Sequence, residues 1–294
     1  MQHIKTDAPE IVRKAVGRDN EHTEILTFDS TGEFADYALA NIAGLTGYGQ
    51  SRAAYEWNGN LSFEQAVTKT REGDLASVAR SDAMLAKFEE YEIPTARKAW
   101  SDDVCGSIPN VPAFIAGHPL AMRRRIRQDS AAAPLAIIAD TTTSAMVEAA
   151  AVQAHGCAVL ALVRALAAVR PIELWVGGGL DTGSSRGGTW AFVRIDTAPI
   201  DLARAAHMLT HPSVTRRLIY GAIKVASPKS DGAWPYNSHA ASRNHMEACI
   251  APAFTHMTET LCIPGLSGSD ASVNDPVKWI GEQLERHRPV DLAA

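Results

Sequence analysis

Leu135-Ala-Ile-Ile-Ala139 runs directly into Asp140-Thr-Thr-Thr-Ser144. Five apolar residues in a row, with β-branched residues at the centre, read as a strand buried on both faces. The string that follows is D-x-T-x-S, and a long Ala-rich helix begins after it. Open α/β sheets place ligand sites at the carboxyl ends of their central strands. Asp140, Thr142 and Ser144 therefore offer three oxygen ligands for one hard cation, either Mg²⁺ or Mn²⁺. The competing reading is mechanical: Asp and Thr are favoured N-caps, and Asp140 and Thr142 would then cap the following helix without any metal.

Downstream of Ser130-Ala-Ala-Ala-Pro134 the pattern alternates between strand and helix. Strands are expected at Leu135–Ala139, Ile172–Val176, Thr189–Ile195 and Thr260–Ile263, with helices over Ser144–Val169, Ile200–Leu209, Pro212–Val225 and Asp275–His287. Gly177-Gly-Gly179 through Gly188 joins the second and third strands without a helix, which predicts an antiparallel edge hairpin on an otherwise parallel sheet. Trp175 and Trp190 fall on these neighbouring strands and read as core or cross-strand partners. Upstream, the signals are mainly helical. Glu24–Phe28 reads as a short strand and Gly32–Ile42 as a helix. Ser62-Phe-Glu-Gln65 is a capping box, Asp74 caps the next helix, and Gly106–Pro119 reads as an ordered loop. No flexible linker separates the halves, so residues 1–130 are expected to pack on residues 131–294.

Composition excludes several classes. A net charge of −5 over 294 residues gives no global attraction to nucleic acid or to an anionic membrane. The apolar stretch Ala145–Val169 carries Glu148, Gln153, His155 and Arg164, so it reads as a buried amphipathic helix rather than a membrane span. Cys105, Cys157, Cys249 and Cys262 lie far apart, which suggests neither zinc ribbon nor disulfide scaffold, and a reducing cytoplasm is expected. The N-terminus lacks signal-peptide order. His207 and His211 have helical ligand spacing but no third ligand. Ser238, His239 and His245 lack nucleophile-elbow spacing. The dense basic run is Arg123, Arg124, Arg125 and Arg127, which reads as a solvated helix face or partner-binding edge. As a nucleic-acid patch it needs aromatic or further basic neighbours, and in sequence only Phe114 is near.

A buried strand ending in D-x-T-x-S, a long helix, a hairpin and a later strand with an acidic loop together resemble the von Willebrand factor A-like fold over residues 134–290. The resemblance implies a metal-ion-dependent adhesion site. Asp140, Thr142 and Ser144 would supply its first string, Asp270 its late acid and Thr197 its loop threonine, although the strand before Asp270 lacks the family's usual Thr-Asp-Gly ending. It also implies a non-enzymatic module presenting the cation to a protein partner. Within the N-terminal half, Pro109-Asn-Val-Pro-Ala-Phe114 and Gly117-His-Pro-Leu-Ala-Met-Arg-Arg-Arg125 are similar to proteins carried by tailed phages and prophages. Two alternatives stay open: a phosphorylated ligand held by Ser144 and Arg186 at the same sheet end, and nucleic-acid binding through Arg123–Arg127. The expected class is α/β, a mostly parallel open sheet with one antiparallel hairpin and a mainly helical N-terminal portion packed on it.

Overall fold

The computed structural model describes residues 10–15, 22–42, 56–88, 98–127, 134–144, 146–168, 170–181, 188–197, 199–226, 242–254, 259–267 and 270–287. Its centre is the expected strand, β6 (Leu135–Asp140), in which every residue is buried. On one side β6 pairs in parallel with β7 (Ile172–Asp181), and on the other with β9 (Glu259–Ile263). β7 runs antiparallel to β8 (Gly188–Ile195), as the helix-free connection requires.

The hairpin is not at an edge. β2 (His22–Phe28) lies parallel beside β8, and β1 (Glu10–Ala15) closes that side, giving a six-stranded sheet of order β1-β2-β8-β7-β6-β9. The N-terminal portion therefore supplies two strands of the main sheet as well as helices, and residue 130 does not divide the sheet. The triple glycine belongs to β7 rather than to a turn. The ring of Trp190 occupies the place a side chain on Gly179 would need, so an aromatic fills the layer that the glycine leaves bare.

Both faces of the sheet are covered. Leu135, Ile137 and Ala139 of β6 point into the larger core, and Ile138 points to the opposite side, as strand alternation dictates. The larger core is roofed by α1 (Thr31–Asn41), α2 (Phe63–Glu72), α5 (Ala149–Ala167), α6 (Leu202–Thr210), the π-helical turn Val214–Ile219 and its continuation α7 (Tyr220–Ala226). On the other face Trp175, Trp190, Phe192 and Ile25 pack with Met246, Ile250 and Phe254, so both tryptophans are core residues. α5 starts at Ala149, five residues later than the apolar pattern suggests, behind an extended Glu148. It is the one described helix long and apolar enough to cross a membrane, but 67% of that window is buried in the fold, as befits a core helix.

α2 opens with the expected reciprocal bonds: Gln65 N donates to Ser62 Oγ at 3.1 Å, and Ser62 N donates to Gln65 Oε1 at 2.8 Å. Ser62→Ala is expected to cost about 1 kcal/mol, measurable as a shift in urea midpoint at unchanged slope. Next comes α3 (Leu75–Phe88), whose first turn Asp74 caps through the Ala76 amide and the Ser77 hydroxyl. Residues 98–127 form a separate small sheet, where a loop and a helical basic run were expected. β3 (Lys98–Asp103), β4 (Ile108–Pro109) and β5 (Met122–Arg127) are ordered β3-β5-β4, with the short helix α4 (Val111–Ile115) between β4 and β5. The four cysteines are free, and Cys157, Cys249 and Cys262 are buried.

Candidate functional site at the carboxyl end of β6

Asp140 ends β6 beside Gly177 of β7. Its Oδ1 accepts from the Thr142 amide at 2.8 Å, which turns the chain back on itself immediately after the strand. Neither Asp140 nor Thr142 caps α5, because that helix begins nine residues beyond Asp140. The mechanical reading is therefore corrected: these side chains shape the loop. Thr142 Oγ1 accepts from Gly179 N at 2.9 Å, and Thr141 Oγ1 donates to Gly177 O at 2.8 Å, so two threonines pin the loop to β7. Thr141 also meets Thr215 Oγ1 at 2.5 Å.

Gly178 is the floor of this arrangement. A Cβ there would lie 2.8 Å from Thr142 Oγ1, 3.4 Å from the Thr215 methyl and 3.5 Å from Asp140 Oδ1. The carboxylate and the hydroxyl thus converge on one bare stretch of backbone. Ser144 is half-buried two residues further on, and its Oγ accepts from Met146 N at 3.3 Å.

Arg216, only 2% exposed, holds the far side of the loop. It donates to Trp57 O at 2.8 Å, Val147 O at 2.8 Å and Thr143 Oγ1 at 3.2 Å, and lies 4.8 Å above the Trp57 ring. Burial lowers its pKa from the usual arginine value, and Tyr220 opposes that shift. Thr215 and Arg216 escaped the sequence reading because each approaches through the tertiary fold and neither stands in a motif, whereas Gly178 is legible there only as part of a glycine run between two strands.

Asp270 stands in the loop after β9, whose course brings Leu266 into a parallel bridge with Thr143. Its carboxylate accepts from Ser267 N at 3.0 Å and Ser267 Oγ at 3.4 Å, and its charge reaches His155 on α5. Asp270 is therefore on the expected flank, with the Ser267 turn among its partners. Thr197 is at the opposite end of the sheet. Its Oγ1 donates to Ile172 O at 2.6 Å, at the start of β7, and it lines an open cleft of about 460 Å³ with Arg194, Asp196 and Asp201. The cause is the antiparallel hairpin: the end of β8 lies where β7 begins, five residues or about 17 Å of strand from Gly177. Thr197 is not part of the site.

Among the described residues no three of His, Cys, Asp and Glu form a metal cage, so any cation here would rely on the Asp140 carboxylate together with hydroxyls and water. Asp140 and Thr142 fit such a donor set, Ser144 fits if its side chain leaves the Met146 amide, and Thr197 does not fit. Arg186, Ser238 and His239 lie outside the described residues. The family model described as Domain of unknown function (DUF7192) matches residues 12–287. No curated protein and no solved structure matches the chain.

Proposed function

Given that the chain belongs to the DUF7192 family across residues 12–287, whose description assigns no activity, we propose from the site that it is a non-enzymatic binding module of the von Willebrand factor A-like kind. Asp140 and Thr142 would hold Mg²⁺ or Mn²⁺, with Ser144 completing the protein ligands. Water and a carboxylate from a protein partner would fill the remaining positions, as suits a small hard cation that keeps part of its hydration. The observation that carries the reading is the convergence of Asp140 Oδ1 and Thr142 Oγ1 on Gly178 at the end of the central strand. The sheet lends support: the strand ending in D-x-T-x-S, the hairpin beside it and the later strand on its other side are neighbours. Asp140 and Thr142 are buried whereas Ser144 and Asp270 are half-exposed, so the partner would approach from the Ser144 side.

Thermal unfolding with EDTA and with excess Mg²⁺ tests this. A cation at a hundredfold excess over its dissociation constant adds about 2.7 kcal/mol, or roughly 5–10 °C for a chain of this size. Wild type is expected to show that rise and Asp140→Asn to lose it. Superimposable wild-type curves, or an equal rise in the variant, would overturn the proposal.

A further inference from the structure

The apolar surface that the folded chain leaves uncovered is gathered largely in one place. Val104, Ile108, Val111, Phe114, Ile115 and Leu120 are six of the nine large hydrophobic side chains that stand exposed among the described residues. All six lie in or beside the excursion that carries β4 and α4. Val111, Phe114 and Ile115 are spaced i, i+3 and i+4, so they share one face of α4, with Phe114 73% and Ile115 79% exposed. None of residues 101–124 is buried, and none belongs to a hydrophobic cluster of the main fold. Single exposed hydrophobics are ordinary, whereas a contiguous patch marks a contact surface.

Two features point to the kind of surface that covers it. The excursion lacks ordinary charges: from Val104 to Ala121 there is no Asp, Glu, Lys or Arg, in a chain of which 21% is charged. Its backbone is also bonded to itself, although it faces solvent. Asn110 N donates to Ala121 O at 2.8 Å and closes the excursion at its neck, while Asn110 Oδ1 accepts from Ala113 N at 3.4 Å. At the far end of α4, Gly117 N donates to Phe114 O at 3.0 Å and His118 N to Ala113 O at 2.9 Å. This double closure uses the positive φ of 71° at Gly117. Leu120 N donates to His118 Nδ1 at 3.2 Å, and Pro109, Pro112 and Pro119 have no N–H to satisfy. Water or a protein partner can supply bonds to exposed backbone. Hydrocarbon supplies none, so backbone that enters it must be paired internally. Asp102 with Arg123 at 3.3 Å and Asp103 with Arg124 at 3.5 Å stand at the base of the lobe as ion pairs.

We infer that the α4 lobe inserts into a lipid surface. The face of Val111, Phe114 and Ile115 enters the boundary between headgroups and acyl chains, a layer about 5–10 Å deep. The ion pairs at the base stay hydrated and limit the depth. Attraction comes from apolar burial, so neutral lipid suffices, in keeping with the chain's net charge of −5. The inference does not depend on a cation at the carboxyl end of β6.

Flotation of the full chain with phosphatidylcholine vesicles at physiological salt tests the inference. Wild type should float with the vesicles. Phe114→Ser with Ile115→Ser should lower the partition coefficient at least about tenfold, since burying either side chain is worth roughly that factor. Its melting curve should stay that of wild type, because both side chains are exposed. Val104→Glu, outside α4, repeats the test should the double variant melt early. A polarity-sensitive maleimide dye on the exposed Cys105, the other three cysteines being buried, reports on the lobe itself. Its emission should shift to the blue when vesicles are added. Failure of wild type to float would overturn the inference, as would equal flotation by the variants or flotation with no shift of the dye. So would a wild-type dimer in light scattering that the double variant dissociates, without flotation, which would assign the lobe to a second copy of the chain.

Discussion

Lowering the pH from 7 to 5.5 is expected to cost the fold roughly 4 kcal/mol. The cause is three histidines held neutral. His155, 7% exposed, and His207, fully buried, are pushed down to about 4 and about 3 by desolvation, and desolvation also takes His211 to about 4. His207 and His211 lie 5.2 Å apart between ring centroids, so a charge on either opposes a charge on the other. Lys69 adds to that opposition and Asp74 works against it. In the unfolded chain each ring titrates near 6.5. Between that value and the folded values, the unfolded state binds protons that the folded state refuses. Stability is therefore complete above about pH 6.5 and falls as the pH drops towards 4, each ring contributing up to about 1.4 kcal/mol per pH unit. Urea denaturation at pH 7.5, 6.5 and 5.5 measures it. A flat profile would show that the rings are not buried neutral, and His207→Leu should remove about a third of the slope.

The second large effect concerns Arg216. Arg216→Met keeps the bulk but removes every bond that the guanidinium donates to the loop after β6. Trp57 O and Val147 O would lose their charged partner in a buried setting, and the stacking over Trp57 would go with it. Charge-assisted bonds of this kind and an unpaired buried carbonyl each amount to about 1–3 kcal/mol, against which the relief of desolvating a cation offsets part. A net loss of about 3 kcal/mol is expected, read from urea midpoints at constant slope. Amide exchange should rise over residues 143–148 while β6 keeps its protection. A loss below 1 kcal/mol would mean that the loop is held by its threonines. Arg216→Lys should restore little, because an ammonium cannot span acceptors that a planar fork reaches together.

Local signals and long-range ones were unequally legible. β6 was readable because a strand buried on both faces must be apolar throughout, and the Ser62 capping box because its bonds close within four residues. The parallel neighbours of β6 followed from the helices that connect them. The hairpin's antiparallel sense was legible as well, and it governs Thr197: reversing one strand sends its end to the opposite rim of the sheet. β2 beside β8, and Trp100 beside Arg125, rest on pairings between distant segments that no periodicity records. Of the site, Asp140, Thr142 and Ser144 were visible as a string. Gly178 and Arg216 gain meaning only from what the fold places against them.

The seat of β2 bears on how the molecule is made. Its hydrogen-bonding partner, β8, begins at Gly188, some 160 residues later. At a synthesis rate of about 5–20 residues per second, β2 leaves the ribosome roughly ten to thirty seconds before β8 exists. Through that interval β1 and β2 can pair with each other, yet the inner edge of β2 stays open, with Ile25, Leu26 and Phe28 unburied. An open apolar edge is a template for another chain. Nascent copies on one message are thus most at risk of joining each other while the middle of the protein is being translated, and a chain stalled before Gly188 keeps that edge for as long as it survives.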